Sequence, residues 1–387
     1  MNLDDTGEHS GVAVDHSRTV LTPQLAALLG DANVLTGATS RRFYAQDVHG
    51  SGVLPLAVVR PGSVEELAAA VQLVTAAGAA VVARGGGMSY TDGYLPISEN
   101  TVTFDTTRLN RIVEINPRDR YVTVECGVTW KALAEALAPH ALRTPYWGPL
   151  SGLRATVGGA LSQGSIFLGS GLHGPVQESL LALEVVLADG SLLKTGGAAL
   201  AQGVPFFRHF GPDLSSLFTG DCGAFGIKVR ATLRLIPAPA ESCYLSFSLA
   251  EAEAVFARHA TELERLGIDH GFLSCTVGGN GVLVEPCIYW PDARQAFHET
   301  VLDPAYLAKL PVFAENLPAR QVVAQLRGEL ADLFAASGAA SFQIGKLCRY
   351  RASLDAGTLA MLDALKRQLD PRGLMNPGVL GFAAPTV

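Results

Sequence analysis

Short apolar runs alternate with polar, glycine-rich turns through the first 240 residues and predict a mixture of strands and helices. Leu56 to Val59 is a continuous apolar run, which is typical of a buried strand. Ser63, with Glu66 three residues later, predicts a helix N-terminus with a capping box. Apolar residues then recur at helical spacing before Gly78, namely Val64, Leu67, Val71 and Val74. Val81 to Ala83 is a second apolar run, so the segment predicts a β-α-β unit with parallel strands.

Further elements follow from the same kind of pattern. Candidate strands occupy residues 102–105, 112–115, 121–125 and 227–236. Thr129 predicts the N-terminus of a helix that continues through Leu137. Residues 181–195 predict a hairpin, because Asp189-Gly190 separates two apolar runs. At the N-terminal end, residues 1–20 predict a mobile leader, and 21–29 a short helix that ends at Gly30.

Composition changes at the proline-rich segment 236–242, where we expect a domain boundary. Beyond it, the pattern predicts a strand at 244–248, a helix at 250–266, two strands around Asn280-Gly281, a helix at 318–336 and a last helix capped near Ser353. This β-α-β-β-α order favours an antiparallel sheet with helices on one face. The predicted fold class is therefore α+β.

Composition and charge narrow the classes of function. Of 387 residues, 48% are hydrophobic and 17% charged, and the net charge is −7. No basic run is present, so we expect neither nucleic acid nor a membrane as partner. The N-terminal residues lack the apolar segment of a signal peptide, which favours a cytoplasmic location. The six cysteines form no CxxC pair and are expected to be reduced thiols.

Three segments rich in small residues are the candidates for ligand binding. They are Arg84-Gly85-Gly86-Gly87-Met88-Ser89, the segment from Ser151 to Ser165, and Gly220 to Lys228. Consecutive glycines let the backbone approach a ligand closely, and several amides in one turn suit a diphosphate. Each segment by itself is also compatible with an ordinary turn. Because each adjoins a predicted strand, the three together favour one shared ligand.

In this order, the three segments resemble the FAD-binding loops of the vanillyl-alcohol oxidase superfamily of FAD-linked oxidases (PCMH-type FAD-binding domain). The first loop of that family reads RGGGHS, the second contains TIGG, and the third ends in Gly-Ile. The closing segment Asp370-Pro371-Arg372-Gly373-Leu374-Met375-Asn376-Pro377-Gly378 is similar to the family's DPxGxxNPG. The resemblance implies FAD as cofactor, with an FAD-binding domain over 21–237, completed by 366–387, and a substrate (cap) domain over 238–365.

The residues that the resemblance implies for FAD binding come from all three loops and the closing segment. They are Arg84, Gly85, Gly86, Gly87, Met88, Ser89, Ser151, Thr156, Val157, Gly158, Gly159, Ser162, Gln163, Ser165, Gly226, Ile227 and Asn376. Met88 stands where many members carry the histidine that bonds the flavin, and no cysteine is present in residues 148–165. We therefore expect FAD to be held without a covalent bond.

Three residues are candidates for catalysis. Lys346 resembles a lysine that faces flavin and substrate in alditol oxidases, although a surface lysine is the alternative. Glu285 lies on a predicted cap strand and shares one face with Leu283 and Cys287. Glu285 is then either exposed at an edge or buried with a role. Arg349 is a candidate partner for a substrate carboxylate, or for a surface acid.

No metal is expected. Zinc-dependent relatives of this superfamily carry a DGNxH-type pattern where this chain has Gly278 to Val282 without a nearby histidine pair. The histidines at 259, 270 and 298 are scattered and are expected to be surface or core residues.

The resemblance implies oxidation of a CH–OH group of a small alcohol or hydroxy acid, with a small-molecule substrate and with oxygen or another electron acceptor. Two alternatives stay open, namely an enolpyruvyl-reductase-like NAD(P)H-dependent flavoenzyme and a flavin-binding protein with a degenerate site. The oligomeric state is also left open, a homo-oligomer included.

Overall fold

The computed structural model describes residues 10–201, 203–209, 211–240, 250–278, 281–339, 343–347 and 349–383. The strands in chain order are β1 (Val34–Leu35), β2 (Ala57–Val59), β3 (Ala80–Arg84), β4 (Thr101–Asp105), β5 (Ile112–Asn116), β6 (Tyr121–Glu125), β7 (Leu142–Arg143), β8 (Leu180–Val186), β9 (Leu192–Lys194), β10 (Ile227–Arg234), β11 (Ile236–Pro237), β12 (Asp269–Val277) and β13 (Gly281–Tyr289).

Helices connect and cover these strands. They are α1 (Ser10–Leu29), α2 (Ala38–Tyr44), α3 (Val64–Ala76), α4 (Trp130–Leu137), α5 (Val157–Gln163), α6 (Ser170–His173), α7 (Leu214–Leu217), α8 (Ala250–Arg258), α9 (Ala260–Leu266), α10 (Ala296–Val301), α11 (Pro304–Leu307), α12 (Leu317–Ala336) and α13 (Ala356–Leu369). In the described ranges, no helix combines the length and apolarity needed to cross a membrane.

The described part of the chain before residue 238 contains two larger sheets and the two-stranded antiparallel pair β7–β11. The first has the order β1-β2-β4-β3, and the second β5-β6-β10-β8-β9. β2 and β3 are parallel to each other, as the β-α-β pattern predicted, but each pairs with β4 between them. The predicted cap of α3 is confirmed, since the Ser63 hydroxyl accepts from the Glu66 amide at 3.1 Å. The hairpin at Asp189-Gly190 is also present, as the antiparallel pair β8–β9.

The cap segment (residues 238–365, as predicted) contributes a third unit. Strands β12 and β13 pair antiparallel from Asp269↔Tyr289 to Val277↔Gly281. Helices α8, α9 and α12 supply most of a separate cluster of buried apolar residues between 255 and 330. This separate core supports a boundary near residue 237. Helix α13 crosses the predicted end at 365, and its Leu362 and Leu369 pack on the core of the preceding part, so the chain returns there before residue 366.

Several predicted bounds need correction. Helix α1 begins at Ser10, so residues 10–20 of the predicted leader are helical, and residues 1–9 lie outside the described ranges. The helix predicted at 250–266 is two helices that meet at His259. The last helix is capped by Asp355 rather than near Ser353, because the Asp355 carboxylate accepts from the amides of the first turn. The strand predicted at 244–248 lies outside the described residues.

Candidate functional site

The three predicted loops meet around one cavity of about 400 Å³. This volume lies within the usual range of small-molecule sites. Predicted FAD-binding residues that line the cavity are Gly85, Gly86, Gly87, Met88, Ser89, Ser151, Thr156, Gly158, Gly159, Ser162, Gln163, Ser165, Gly226 and Ile227. The three loops that the sequence singled out thus line one cavity, and their binding of FAD stays a prediction.

The first loop presents backbone donors without acceptors. It follows β3, and the amides of residues 85–89 donate to no acceptor within the described part of the chain. Backbone N–H groups held away from water are nearly always paired in folded proteins. A run of such donors along a cavity wall is the arrangement that binds a diphosphate. FAD carries that group, so this loop fits the cofactor that the sequence implied.

Close packing between the first and second loops requires glycine. A Cβ on Gly86 would lie 1.8 Å from the Arg154 carbonyl oxygen. A Cβ on Gly158 would lie 2.6 Å from Cβ of Cys126. Real side chains do not tolerate either distance. Gly86 therefore lets the first loop pack on the main chain of the second, and Gly158 lets the second loop pack on Cys126.

A chain of side-chain hydrogen bonds joins the three loops at the cavity. The Ser89 and Thr91 hydroxyls are 3.1 Å apart, and the Thr91 hydroxyl donates to Oε1 of Gln163 at 3.2 Å. Nε2 of Gln163 then donates to Sγ of Cys222 at 3.4 Å. One polar residue from each loop is therefore held in place by the next, with Thr91 as the link.

Asn376 supports this wall from behind rather than lining it, which corrects its predicted direct contact with FAD. Its side-chain amide donates to the Gly93 carbonyl at 2.8 Å and to the Cys222 carbonyl. Its side chain is buried, and its own amide donates to Val81 in β3. The closing segment thus ties the first and third loops to the parallel sheet.

Two other predicted FAD-binding residues also lie outside the wall. Val157 is the first residue of α5, and its side chain is fully buried in the apolar core rather than in the cavity wall. Arg84 is buried, with its guanidinium carbon 5.0 Å from the Phe43 ring centroid, 4.8 Å from that of Tyr44 and 5.3 Å from that of Tyr94. Its charge is therefore stabilised by aromatic faces beneath the glycine loop.

Lys346 is absent from the described wall of the cavity, although the resemblance implied a place beside the flavin. Its ammonium donates to the Leu95 carbonyl at 2.5 Å and to Oδ1 of Asn376 at 2.8 Å. Burial lowers the pKa of Lys346 from 10.5 to about 8. The alternative of a surface lysine is wrong as well, since this side chain is an internal support of Asn376.

Arg349 is exposed and forms an ion pair with Asp332 on the surface. The surface-acid alternative therefore holds, because the guanidinium lies on the solvent side of the chain and is absent from the cavity wall. Its predicted role toward a substrate carboxylate is corrected accordingly.

Glu285 lies in the cavity wall, together with Leu273 and Cys287 of the β12–β13 pair. The Tyr90 hydroxyl donates to Oε1 of Glu285. Burial and the neighbouring Glu285 charge raise the pKa of Tyr90. Tyr90 thus remains a hydrogen-bond donor at any ordinary pH. This contact brings the first loop and the cap segment together at one point.

Tyr90 was missed at the level of sequence. It directly follows Ser89, and its position beside the predicted loop was the available signal. The pairing with Glu285, 195 residues away, has no local signature.

Three cysteines also line the cavity, although the sequence directed attention only to residues 148–165. They are Cys126, Cys222 and Cys287. Burial raises the pKa of Cys126 to about 12, and burial also raises that of Cys287. Both thiols are therefore protonated at neutral pH and are poor nucleophiles.

The described residues contain no group of three or more His, Cys, Asp or Glu side chains that could hold a metal ion. His259 lies 3.0 Å from both carboxylate oxygens of Glu329, and His270 stacks on Phe256 with centroids 4.0 Å apart. His298 accepts from the Gln295 amide at the start of α10. Each of these histidines thus has a local structural partner.

Comparison with known proteins identifies the first two loops with a known domain. Residues 55–196 match the FAD binding domain family. An uncharacterized FAD-linked oxidoreductase of Escherichia coli K12 is 28% identical over 252 residues, which are 62% of this chain and 50% of that protein. The glycolate oxidase subunit GlcD of the same strain is 33% identical over 187 residues, 48% of this chain and 35% of that protein. A probable mitochondrial D-lactate dehydrogenase of Danio rerio is 32% identical over 216 residues, 55% and 42% of the two chains. The chain thus spans half or less of the length of these relatives.

The fold is found in solved structures as well. p-Cresol methylhydroxylase with bound substrate has a TM-score of 0.68 at 16% identity, with 97% of this chain and 98% of that chain covered. The matched domain and the FAD-linked relatives support FAD as the cofactor, and the chain shares the fold of p-cresol methylhydroxylase.

Proposed function

We propose that the protein oxidises a CH–OH group of a small molecule to a carbonyl, and that Glu285 takes the hydroxyl proton. The observation that carries this proposal is the hydrogen-bonded pair Tyr90–Glu285 in the wall of the FAD cavity. The pair joins the cofactor loop to the cap segment. A carboxylate at this position is suited to general-base catalysis, which requires the base within hydrogen-bond reach of the proton it removes.

The chemistry divides between cofactor and protein. When bound, FAD supplies the acceptor for the hydride that leaves the substrate carbon with its electron pair. The hydroxyl proton moves to Glu285, and the C–O bond becomes C=O. Because Tyr90 donates to Oε1, and Oε2 accepts no hydrogen bond within the described chain, Oε2 is the acceptor for the substrate hydroxyl. An electron acceptor, oxygen or another compound, would be required to complete the balance of electrons.

The names of two relatives support this class of reaction. Glycolate and D-lactate, for which these relatives are named, each carry a CH–OH group. The residues that match the FAD binding domain include the first and second of the three loops, whereas Glu285 lies outside the match. The loops proposed to bind FAD and the residue proposed as the base therefore lie in different parts of the chain.

We also propose that FAD is bound without a covalent link. Met88 occupies the position in the glycine loop where covalent members carry histidine, and a thioether cannot form the same bond. The protonated thiols of Cys126 and Cys287 are unsuited to attack the flavin ring. The contacts that hold the cofactor would then be the amides of the first loop and the small residues of the other two.

The decisive test is anaerobic reduction of the flavin by a panel of alcohols and hydroxy acids. The rate of reduction is measured by stopped-flow absorbance. We expect Glu285→Gln to slow reduction about 10²–10⁴-fold, because a general base contributes about that factor. FAD content should be unchanged. Glu299→Gln, an exposed residue of α10 in the same segment, is the matched control and should behave as wild type.

Wild-type reduction rates in Glu285→Gln would remove Glu285 from the mechanism. Bleaching by NADPH alone, with no response to any alcohol, would instead favour the reductase alternative.

A further inference from the structure

The few charged side chains in the cavity wall indicate which charge a substrate can carry. Among the described residues, Lys228 is the one Lys or Arg that lines the cavity. Its ammonium is 2.5 Å from Oδ1 of Asp221, and each of the two side chains is 1% exposed. Lys228 is thus already neutralised by a buried partner and has no free charge for a ligand.

Other cations near the cavity also have protein contacts, since the Arg327 guanidinium contacts His49 and donates to the Tyr90 carbonyl at 3.4 Å, and Arg84 lies against aromatic rings. Lys346 donates to Leu95 and Asn376 behind the wall, and Arg349 pairs with Asp332 at the surface. Among the described residues that line the cavity, the one Asp or Glu is Glu285.

The wall beside Glu285 is largely apolar. Leu273 is the cross-strand partner of Glu285, and both line the cavity with Ile166 and Phe167. Leu150 also lines the cavity although it is 78% exposed, and Leu153, three residues later, is 72% exposed. An exposed leucine at the edge of a ligand cavity offers apolar surface to whatever enters it.

We propose that the substrate is an uncharged alcohol with an apolar body, and that 2-hydroxy acids are excluded. This inference rests on the proposed function, because it assigns the hydroxyl to Glu285. A substrate carboxylate would lose its hydration without a compensating cation and would be repelled by Glu285. The relatives named for glycolate and D-lactate would thus differ from this chain in the charge that their substrates require.

The test compares two substrates with one carbon skeleton. 1,2-Octanediol and 2-hydroxyoctanoate both carry a hydroxyl at the second carbon, and only the acid carries a charge. We expect the diol to reduce the flavin anaerobically with a second-order rate constant on the order of 100-fold higher, the scale of one like-charge repulsion at intermediate dielectric. Equal or faster reduction by the hydroxy acid would overturn the inference and leave the CH–OH function intact.

Binding gives a second measurement that does not depend on turnover. Titration with 2-methyl-2-octanol, a tertiary alcohol with no hydride to transfer from its carbinol carbon, should perturb the spectrum of the bound flavin at lower concentration than titration with octanoate. Tighter binding of octanoate would count against the inference. If FAD is bound but no alcohol or hydroxy acid bleaches it, the proposed function fails, and the substrate inference falls with it.

Leu150→Ser tests the apolar edge of the cavity. We expect it to reduce the preference for 1,2-octanediol over 1,2-propanediol by about tenfold, the loss expected from removing the apolar contact of one leucine. Leu192→Ser is the matched control, since Leu192 is 42% exposed on β9 and absent from the cavity wall. An unchanged preference in Leu150→Ser would show that the substrate body does not contact this edge.

Discussion

Side chains behind the cavity wall are as specifically arranged as those that line it. Lys346 shows this, because its ammonium has two protein acceptors, Leu95 O and Asn376 Oδ1. A neutral amine has two N–H donors and can satisfy both. Burial therefore favours loss of the proton without loss of the hydrogen bonds, and the pKa falls to about 8.

Lys346 should make the stability of the protein depend on pH in the alkaline range. Its pKa is about 8 when folded and 10.5 ordinarily, so between these values the unfolded chain binds more protons. The free energy of unfolding of the wild type relative to Lys346→Met should consequently increase from pH 8 toward pH 10.5. Urea unfolding of both proteins across this range measures it. A constant difference would mean that the Lys346 ammonium is not titrating there.

Predictions for single residues agree with the geometry of the cavity where local sequence controls that geometry. Gly85, Gly86 and Gly87 could be assigned to a ligand loop because consecutive glycines after a strand have few other uses. Lys346 lies behind the cavity wall because its ammonium donates to Leu95 and Asn376. Both partners are distant from Lys346 in sequence. No periodic pattern in residues 343–350 carries that information.

At the scale of elements, the site depends on two loops that approach each other more closely than side chains allow. Gly86 lies against the Arg154 carbonyl, just before α5. The second loop is fixed in turn by Thr156, which caps α5 by accepting from the Gly159 amide at 3.2 Å. Loop spacing and helix position are thus coupled.

Gly86→Ala should separate these loops, because the new Cβ would lie 1.8 Å from the Arg154 oxygen. We expect FAD affinity to fall at least about tenfold, and stability by about 1–3 kcal/mol, which is typical of overpacking. Fluorescence titration with FAD and urea unfolding measure the two effects. Gly328→Ala in α12 is the control, since its Cβ would meet nothing within 4 Å and alanine favours the helix. Retention of full FAD affinity by Gly86→Ala would contradict the assigned role of this contact.

Elements were predicted best where capping residues and short apolar runs coincide. α3 and α4 begin after Ser63 and Thr129, as expected. The pairing of β2 and β3 with β4 between them was not predictable, because the order of parallel strands is set by packing across the sheet. The break between α8 and α9 at His259 has no proline or glycine to indicate it.

At the scale of the whole molecule, the cavity proposed to hold the cofactor lies between segments that are far apart in sequence. The first three loops extend from Gly85 to Lys228, and Leu273 and Glu285 close the cavity from the cap segment. A ligand held by so many separate segments stabilises all of them together. The fold itself is shared with p-cresol methylhydroxylase over 97% of the chain.

Bound FAD should therefore raise the melting temperature, and the increase should grow with the logarithm of the free FAD concentration above Kd. At a free concentration of about 100 times Kd, the free energy of unfolding should rise by about 2.7 kcal/mol. Because the bond is proposed to be non-covalent, acid precipitation should release all flavin into the supernatant. Yellow colour in the protein pellet would refute the assignment based on Met88. A melting temperature that does not respond to added FAD would contradict the placement of the cofactor.

The Tyr90–Glu285 contact joins two separate stretches of chain, to which we assign cofactor binding and catalysis respectively. The loops that retain the flavin belong to one stretch, and the carboxylate proposed for catalysis belongs to a strand pair elsewhere. Substitutions in β12 and β13 can therefore alter which compounds are turned over while cofactor retention stays the same. Descendants of one ancestral gene could acquire new substrates by changing a single hairpin, with the yellow colour of the protein inherited unaltered.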